Sequence, residues 1–551
     1  MKNKIAHFAA VFATLVFILS GCGAADEKPE EAAPENNNAT EGTEAIGETV
    51  LPSDAKNEKL KIVFKRCFDY IYDDQKNINI IDYSYQVPEL EGASKEKYPA
   101  LNEMLEKHFG DYSGKMDEYV NEHKDTALNS ILSDKDIDYK EFLPYTYNSD
   151  VNIRRADDSI LSFVYFIREN SGVDSEAEEH IRAVSFDTET GKELKLSDIV
   201  ADTEGLVKLL LPALTENARA DFEGAGFSFS DIEKSFPENV SKNINEGAYE
   251  WSYDPTGITL YFERNVLGPV MAQVFVLFDA DRDNTVFKNI KKASDTDDYV
   301  VYFNVGSQMN CDVNGDGKMD TLKLNTISDE WDESLNLEIE YNGRTQNFDL
   351  EMAYELFPML VHKDGRTWLL LNYLEYDWTI LDVYRFTDSE VRSSDYIVGD
   401  FVSREFFDYS EWDDGVSYIK AFTNPQSFTL EIYTQLLSTA PAYADFSFEN
   451  GGFKRLDDFF TIKNDEDMFV INLKLDEMDV SVIDKETHKE TGKTTIRKGQ
   501  SLKLMYTDNE TYVDCLTGDG ILVRIYIDTT DLYTVNGYEL NEAFDNMFYA
   551  G

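Results

Sequence analysis

VNIRRADDSILSFVYFIREN (residues 151–170) and IRAVSFDTETGKELKLSDIV (181–200) decide how this chain folds. In both, apolar and polar residues alternate with a period near two, the mark of strands that bury one face. Ala156-Asp157-Asp158-Ser159 interrupts the first stretch and Glu189-Thr190-Gly191 the second, and such residues favour tight turns. The pattern predicts an antiparallel meander of two strand pairs from Tyr145 to Val200.

Toward the N-terminus, LKIVFKRCFDYIY (60–72) and INIIDYSYQVPEL (78–90) are apolar and aromatic enough for strands, and Pro88 ends the second. Pro99 then opens a helix, because the first helical turn does not need its missing N–H. Leu101, Met104, Leu105, Phe109, Tyr112, Met116, Tyr119 and Val120 recur at helical spacing, while Gly110 and Gly114 weaken the middle. Toward the C-terminus, Asp202 to Leu214 predicts a helix capped by Asp202 or Thr203, with a kink at Pro212. FSFSDIEKSF through NINEGAYEW is helical as well, and the stretch from Trp251 to Phe278 gives two strands about Asp254-Pro255-Thr256-Gly257. The N-terminal half is therefore expected to be α+β, with a strand-helix unit at 58–150 and a second unit at 151–290.

This order of parts, with V-S-F-D-x-x-T-G-K-x-L-x-L-S-D-I and W-x-x-x-x-x-G-I-x-L-Y-F, resembles the RsiV/PdaC-type extracytoplasmic domain pair over about residues 58 to 290. Phe186, Asp187, Thr190, Gly191, Lys192, Leu194, Ser197 and Asp198 carry the first motif; Trp251, Gly257, Leu260, Tyr261 and Phe262 carry the second. The resemblance implies an α+β module at the cell surface, which in one branch receives lysozyme and in another accompanies a peptidoglycan deacetylase. After the second motif, Asn265 to Met271 keeps only a Gly-Pro bend of the family's pattern. The chain carries neither an internal membrane span nor a deacetylase block, so neither transmembrane signalling nor deacetylation carries over.

The first 22 residues read as a secretory signal: Lys2 and Lys4, an apolar run from Ile5 to Leu19, then Leu19-Ser20-Gly21-Cys22. A membrane span needs about 20 apolar residues. The L-S-G-C ending resembles the lipobox of bacterial lipoproteins, which implies a lipidated Cys22 anchored to the outer face of a bacterial cell membrane. Residues 23–57 hold nine acidic and two basic side chains with almost no large apolar residue, a composition that reads as an extended, disordered tether.

The whole chain has 106 acidic against 51 basic residues and a net charge of -55, which argues against nucleic acid as a partner and against lying flat on anionic lipid. Such acidity keeps an exported protein soluble and attracts cationic partners. Cys67, Cys311 and Cys515 are too scattered for a disulfide framework, and no two of the six histidines stand at metal-ligand spacing.

Residues 279–298 read as a linker. Beyond them, NCDVNGDGKMDTLKL (310–324) is the sharpest chemical motif. Asp312, Asn314, Asp316 and Asp320 stand at relative positions 1, 3, 5 and 9, the carbonyl of Lys318 falls at position 7, and Gly317 permits the turn. Oxygen ligands at that spacing suit calcium, although Lys323 replaces the closing glutamate of an EF-hand. Strand-like flanks make the loop similar to those in β-hairpins of integrin-like propeller repeats, and the expected role is structural; a plain Asp/Gly-rich hairpin turn is the alternative.

The C-terminal half is expected to be mainly antiparallel β: partial-propeller-like sheets over 299–465, then a small SH3-like barrel over 466–551 with turns at Lys498-Gly499 and Gly518-Asp519-Gly520. Trp331, Trp368, Trp378 and Trp412 would stack on sugars if exposed and fill the core if buried. No G-x-S-x-G elbow, P-loop, Cys–His pair or metal-binding histidine pair occurs. The sequence points to a lipid-anchored, noncatalytic surface protein that engages a cell-wall-associated partner such as a cationic muramidase. The alternative is a carbohydrate- or peptidoglycan-binding lipoprotein that uses the C-terminal β region.

Overall fold

The computed structural model describes residues 60–549, apart from 74–77, 134–143, 171–177, 280–284, 294–297, 304, 307, 317, 330–331, 351–352, 376–377, 403–415, 464–467 and 531–532. The signal, Cys22 and the tether lie outside the described residues. Ser53–Gly551 forms one compact unit. Strands dominate, arranged in several mostly antiparallel sheets.

The period-two stretches form Tyr145–Ala156, Ile160–Asn170 and Glu178–Asp187, paired in sequence. The expected fourth strand is absent: after the Gly191 turn only Glu193 bridges to Phe186, and Leu196–Ile199 winds into one helical turn. Asp198 accepts the Lys195 N–H at 3.0 Å, and Leu196 and Ile199, three apart, both enter the core. Local capping and burial at helical spacing outweigh the alternation here.

Ile62–Asp73 and Ile78–Leu90 extend this sheet. Ile78–Leu90 runs parallel to Tyr145–Ala156, with Ile81 opposite Tyr145 and Tyr85 opposite Ser149. Parallel neighbours require a crossover, and the helix Pro99–Ser133 supplies it. Leu101, Leu105 and Phe109, each four residues apart, bury against this sheet, where Phe109 meets Phe163 edge-on. The sixth strand comes from far away: Val416–Lys420 pairs with Ile62–Asp73, Val63 lying opposite Lys420.

A second core forms where the helix Thr203–Gly224 lays Leu206, Leu210, Leu214, Ala218 and Phe222 on a sheet of Glu250–Tyr253, Gly257–Phe262 and Ala272–Leu277. The helix runs ten residues beyond the predicted end and keeps Pro212 inside. A further helix, Phe236–Glu246, ends at Gly247 with φ 75°, the left-handed conformation glycine tolerates best. Residues 285–293, read from sequence as linker, are packed: Val286 and Phe287 are buried in this core.

The C-terminal half stacks sheets. Tyr299–Tyr302, Ala353–Lys363, Arg366–Glu375, Trp378–Phe386 and Val391–Val398 form a middle layer. Val301, Leu360, Leu369 and Leu371 face a four-stranded sheet that spans 308–350. Val300, Met359, Val361, Leu370 and Leu381 face the large sheet formed by later strands. Burial on both faces is why WLLL (368–371) reads as an unbroken apolar run.

The strands and turns of the final segment fall where the sequence predicts, with Gly499 and Gly520 at φ 78° and 80°. The SH3-like barrel does not form: among the described residues no sheet closes on itself. Phe460–Ile462 pairs with both Ala440–Glu449 and Ser501–Thr507, so the edge a barrel would close on is joined to the preceding strands and one twelve-stranded sheet results. Trp368 is buried, Trp378 packs edge-on against Tyr433 with ring centres 4.9 Å apart, and Trp331 and Trp412 lie outside the described residues.

Candidate functional site

The 312–320 loop joins the strands Gln308–Cys311 and Asp320–Asp329. Its side chains fold it upon itself. Asp312 Oδ1 accepts the N–H groups of Gly315 (2.8 Å) and Asp316 (3.2 Å), and Asn314 Oδ1 accepts that of Asp316 (2.9 Å). Gly315, at φ 78°, makes the bend. Asp316 accepts the Lys318 N–H at 2.8 Å and its ammonium at 3.3 Å, bonds that hold its carboxyl below the usual range. Asp320 is buried; it accepts Val313 N–H at 3.0 Å and the Asn342 amide at 2.6 Å, which ties the loop to the next hairpin. Thus Asp312, Asn314 and Asp316 share one turn, while Asp320 closes the loop through Val313 and reaches Asn342 beyond it. Among the described residues no three carboxylate, imidazole or thiolate groups stand where they could together hold a metal ion.

The motif residues of the N-terminal half serve the scaffold. Asp187 accepts the Thr190 N–H (3.0 Å) and hydroxyl (2.8 Å) and pairs with the Lys291 ammonium; against the burial that would raise it, these bonds hold its carboxyl below the ordinary range. A Cβ on Gly191 would sit 2.3 Å from the Ala100 carbonyl oxygen, so the turn lies directly on the start of the helix Pro99–Ser133. A Cβ on Gly257 would meet the Val276 carbonyl oxygen at 2.3 Å. Phe186, Leu260, Tyr261 and Phe262 are core, and Lys192 and Asp198 form an ion pair at 3.0 Å.

Two polar groupings were not found by sequence reasoning. The first is Arg154 with Asp254, joined at 2.7 Å and nearly wholly shielded from solvent. Arg154 also donates to the Tyr302 carbonyl (3.0 Å) and contacts Met309 Sδ (3.4 Å), and Thr259 donates to Asp254. Arg154-Arg155 within a strand was the available signal, because neighbouring strand residues point to opposite faces and cannot both be solvated on one. Arg155 is buried too, beside Asp157 and 5.1 Å over the Tyr253 ring.

The second grouping lies on the N-terminal sheet, on the face opposite the helix. Cys67, Tyr83, Val87, Tyr147 and Val151 pack toward the helix. Strand alternation therefore places Arg66, Asp82, Ser84, Asn148 and Asp150 on the other side. Arg66 donates to the Ser84 hydroxyl at 3.0 Å. Burial pushes the half-buried Asp82 carboxyl up, and the Arg66 guanidinium opposes the shift; Asp150, on the same face, is exposed. Two carboxylates and one guanidinium thus share one face of three adjacent strands.

No family model matches the chain, and no curated protein does. Among solved structures it is similar to a member of the DUF3298 family from Bacteroides fragilis, with 13% identity and a TM-score of 0.30 over 42% of this chain and 94% of that one. It is also similar to a DUF3298 family protein from Pseudomonas aeruginosa, with 10% identity and a TM-score of 0.26 over 42% and 94%.

Proposed function

We propose that this chain is a noncatalytic binding protein of the cell surface, anchored through a lipidated Cys22, that engages a cationic protein partner such as a muramidase. What supports the reading is two carboxylates on one face of the N-terminal sheet, the half-buried Asp82 and the exposed Asp150, with Arg66 the cation that acts on both within the chain. A lysine or arginine from a partner would pair with these carboxylates, and the net charge of -55 would speed the encounter. The resemblance of residues 58 to 290 to the RsiV/PdaC-type pair supports the same direction.

The test is binding of lysozyme to the unit Ser53–Gly551 at about 150 mM salt, where charges more than about 8 Å apart are screened. Saturable binding that weakens about tenfold in the Asp82→Asn, Asp150→Asn double variant is expected, the loss of one good charge pair. Binding that ignores the double variant would sink the proposal.

The 312–320 loop is proposed as a structural calcium brace, with Asp312, Asn314, Asp316, Asp320 and the Lys318 carbonyl as oxygen donors. All are hard oxygen groups, and the side-chain-to-backbone bonds already curl the turn. Calcium but not EDTA should raise the melting temperature, and Asp312→Asn with Asp316→Asn should remove the increase. A melting temperature indifferent to calcium argues for a plain hairpin turn.

A second reading, a wall-glycan binder, is favoured by the exposed Tyr396 (68%) and the half-exposed Tyr433 in the C-terminal half. Retention on purified peptidoglycan that is lost in Tyr396→Ala, Tyr433→Ala would favour it.

A further inference from the structure

Between the helix Pro99–Ser133 and the first two strands lies a cleft of about 270 Å³, on the opposite face of the sheet from Asp82 and Asp150. Its floor is apolar: Cys67, Val87, Leu105 and Phe109. Charged side chains of both signs also line it, Lys65 and Lys95 against Glu89 and Glu106. Asn102 donates to Glu106 at 2.6 Å.

Three features of this cleft bear on what it binds. First, Lys65 and Lys95 have no side-chain hydrogen bond or ion pair among the described residues. Glu89 and Glu106 line the same cleft, yet neither lysine is paired with them. Second, Gly110 lines the cleft in mid-helix, and a Cβ there would meet nothing within 4 Å. Glycine weakens a helix relative to alanine, and at Gly191 or Gly257 backbone crowding explains it, whereas among the described residues nothing crowds Gly110. Third, the volume lies just below the range of about 300–1,000 Å³ usual for drug-sized ligands.

We infer that this cleft is a binding site for a small zwitterion with one apolar side chain, an amino acid or very short peptide. Its carboxylate meets Lys65 and Lys95, its ammonium meets Glu89 and Glu106, and its side chain lies over Cys67, Val87, Leu105 and Phe109. The charge balance of the molecule decides for a zwitterion over a simple anion: the field of a protein at -55 repels an anion but leaves a neutral ligand free to enter. The inference is independent of the cationic-partner reading, because the two sites use opposite faces of the sheet.

The experiment is titration of the unit Ser53–Gly551 with L-phenylalanine, phenylacetate, phenethylamine and N-acetylphenylalanine amide, followed by calorimetry and by the rate at which iodoacetamide labels Cys67. Cys67 is a site-specific reporter, since Cys515 is fully buried and burial pushes the Cys311 thiol up to about 12. Phenylalanine is expected to bind best and to protect Cys67, with each single-charge or neutral probe weaker by about tenfold or more. Lys65→Gln with Lys95→Gln should weaken phenylalanine and leave phenethylamine unchanged. Gly110→Leu should fill the cleft and abolish binding of every probe, while Gly110→Ala serves as the control for folding. Phenylacetate binding as tightly as phenylalanine, binding that survives Gly110→Leu, or no protection of Cys67 by any probe would each overturn the inference.

Discussion

Arg154 and Asp254 are 100 residues apart in sequence and 2.7 Å apart in space, with side chains 7% and 3% exposed. Removing one partner leaves a buried charge without its complement, a loss of about 3–5 kcal/mol. Arg154→Met should therefore lower the urea midpoint sharply, and Arg154→Met with Asp254→Asn should recover more than half of the loss. Equal stability of the single variant and the parent would refute the assignment.

Asp187 has the opposite relation to pH from Asp82. Its folded-state pKa is depressed, so its contribution to stability is complete above the ordinary value of about 3.9 and is lost as pH falls through the folded value. Asp187→Asn should melt lower than the parent at pH 7, and the two curves should converge below about pH 4. Asp82 is raised, so ionising it costs stability. Asp82→Asn should gain stability at pH 7 and lose that gain as pH falls. Melting curves from pH 7 to 3 decide both signs.

Turns and helix starts were the most legible elements, because a turn is specified by the few residues inside it. Pro99 begins its helix, Gly499 and Gly520 take the positive φ their turns require, and Asp202 stands at the cap position. The strand expected after Gly191 failed because its alternation competes with a capped helical turn whose Leu196 and Ile199 belong to a different core from Phe186. Gly191 is critical in that element. With φ 65° and no room for a Cβ beside the Ala100 carbonyl, Gly191→Ala should destabilise by about 1–3 kcal/mol. Gly114→Ala, in open space on a helix, should stabilise by about 1 kcal/mol instead. Chemical denaturation that gave both variants the same sign would contradict this reading of the two glycines.

At the scale of the molecule, the two halves share a sheet. Val416–Lys420 pairs with the strand Ile62–Asp73, the Ala421 N–H donates to the Ile62 carbonyl at 3.2 Å, and the Thr423 hydroxyl donates to the Leu60 carbonyl at 3.0 Å. The Phe422 N–H donates to the Tyr302 hydroxyl at 2.8 Å. Ala421→Pro removes the first of these donors and inserts a ring at a buried position. It should lower the midpoint of unfolding seen by far-UV circular dichroism and by tryptophan fluorescence alike. A shift in only one probe would mean the halves unfold separately.

Strand periodicity, turn residues and the Pro99 helix were determined by sequence alone, since each depends on neighbours within a few residues. So was the oxygen-rich order of Asp312, Asn314, Asp316 and Asp320, although not that Asp320 would bond the Val313 N–H of the loop and the Asn342 amide of the next hairpin. Alternation tells a strand which face to bury and leaves its edge partner open, because every strand edge offers the same N–H and C=O groups. Only the tertiary structure could decide that Val416–Lys420 joins the first strand, that Phe460–Ile462 opens the expected barrel into one broad sheet, and that Arg154 meets Asp254.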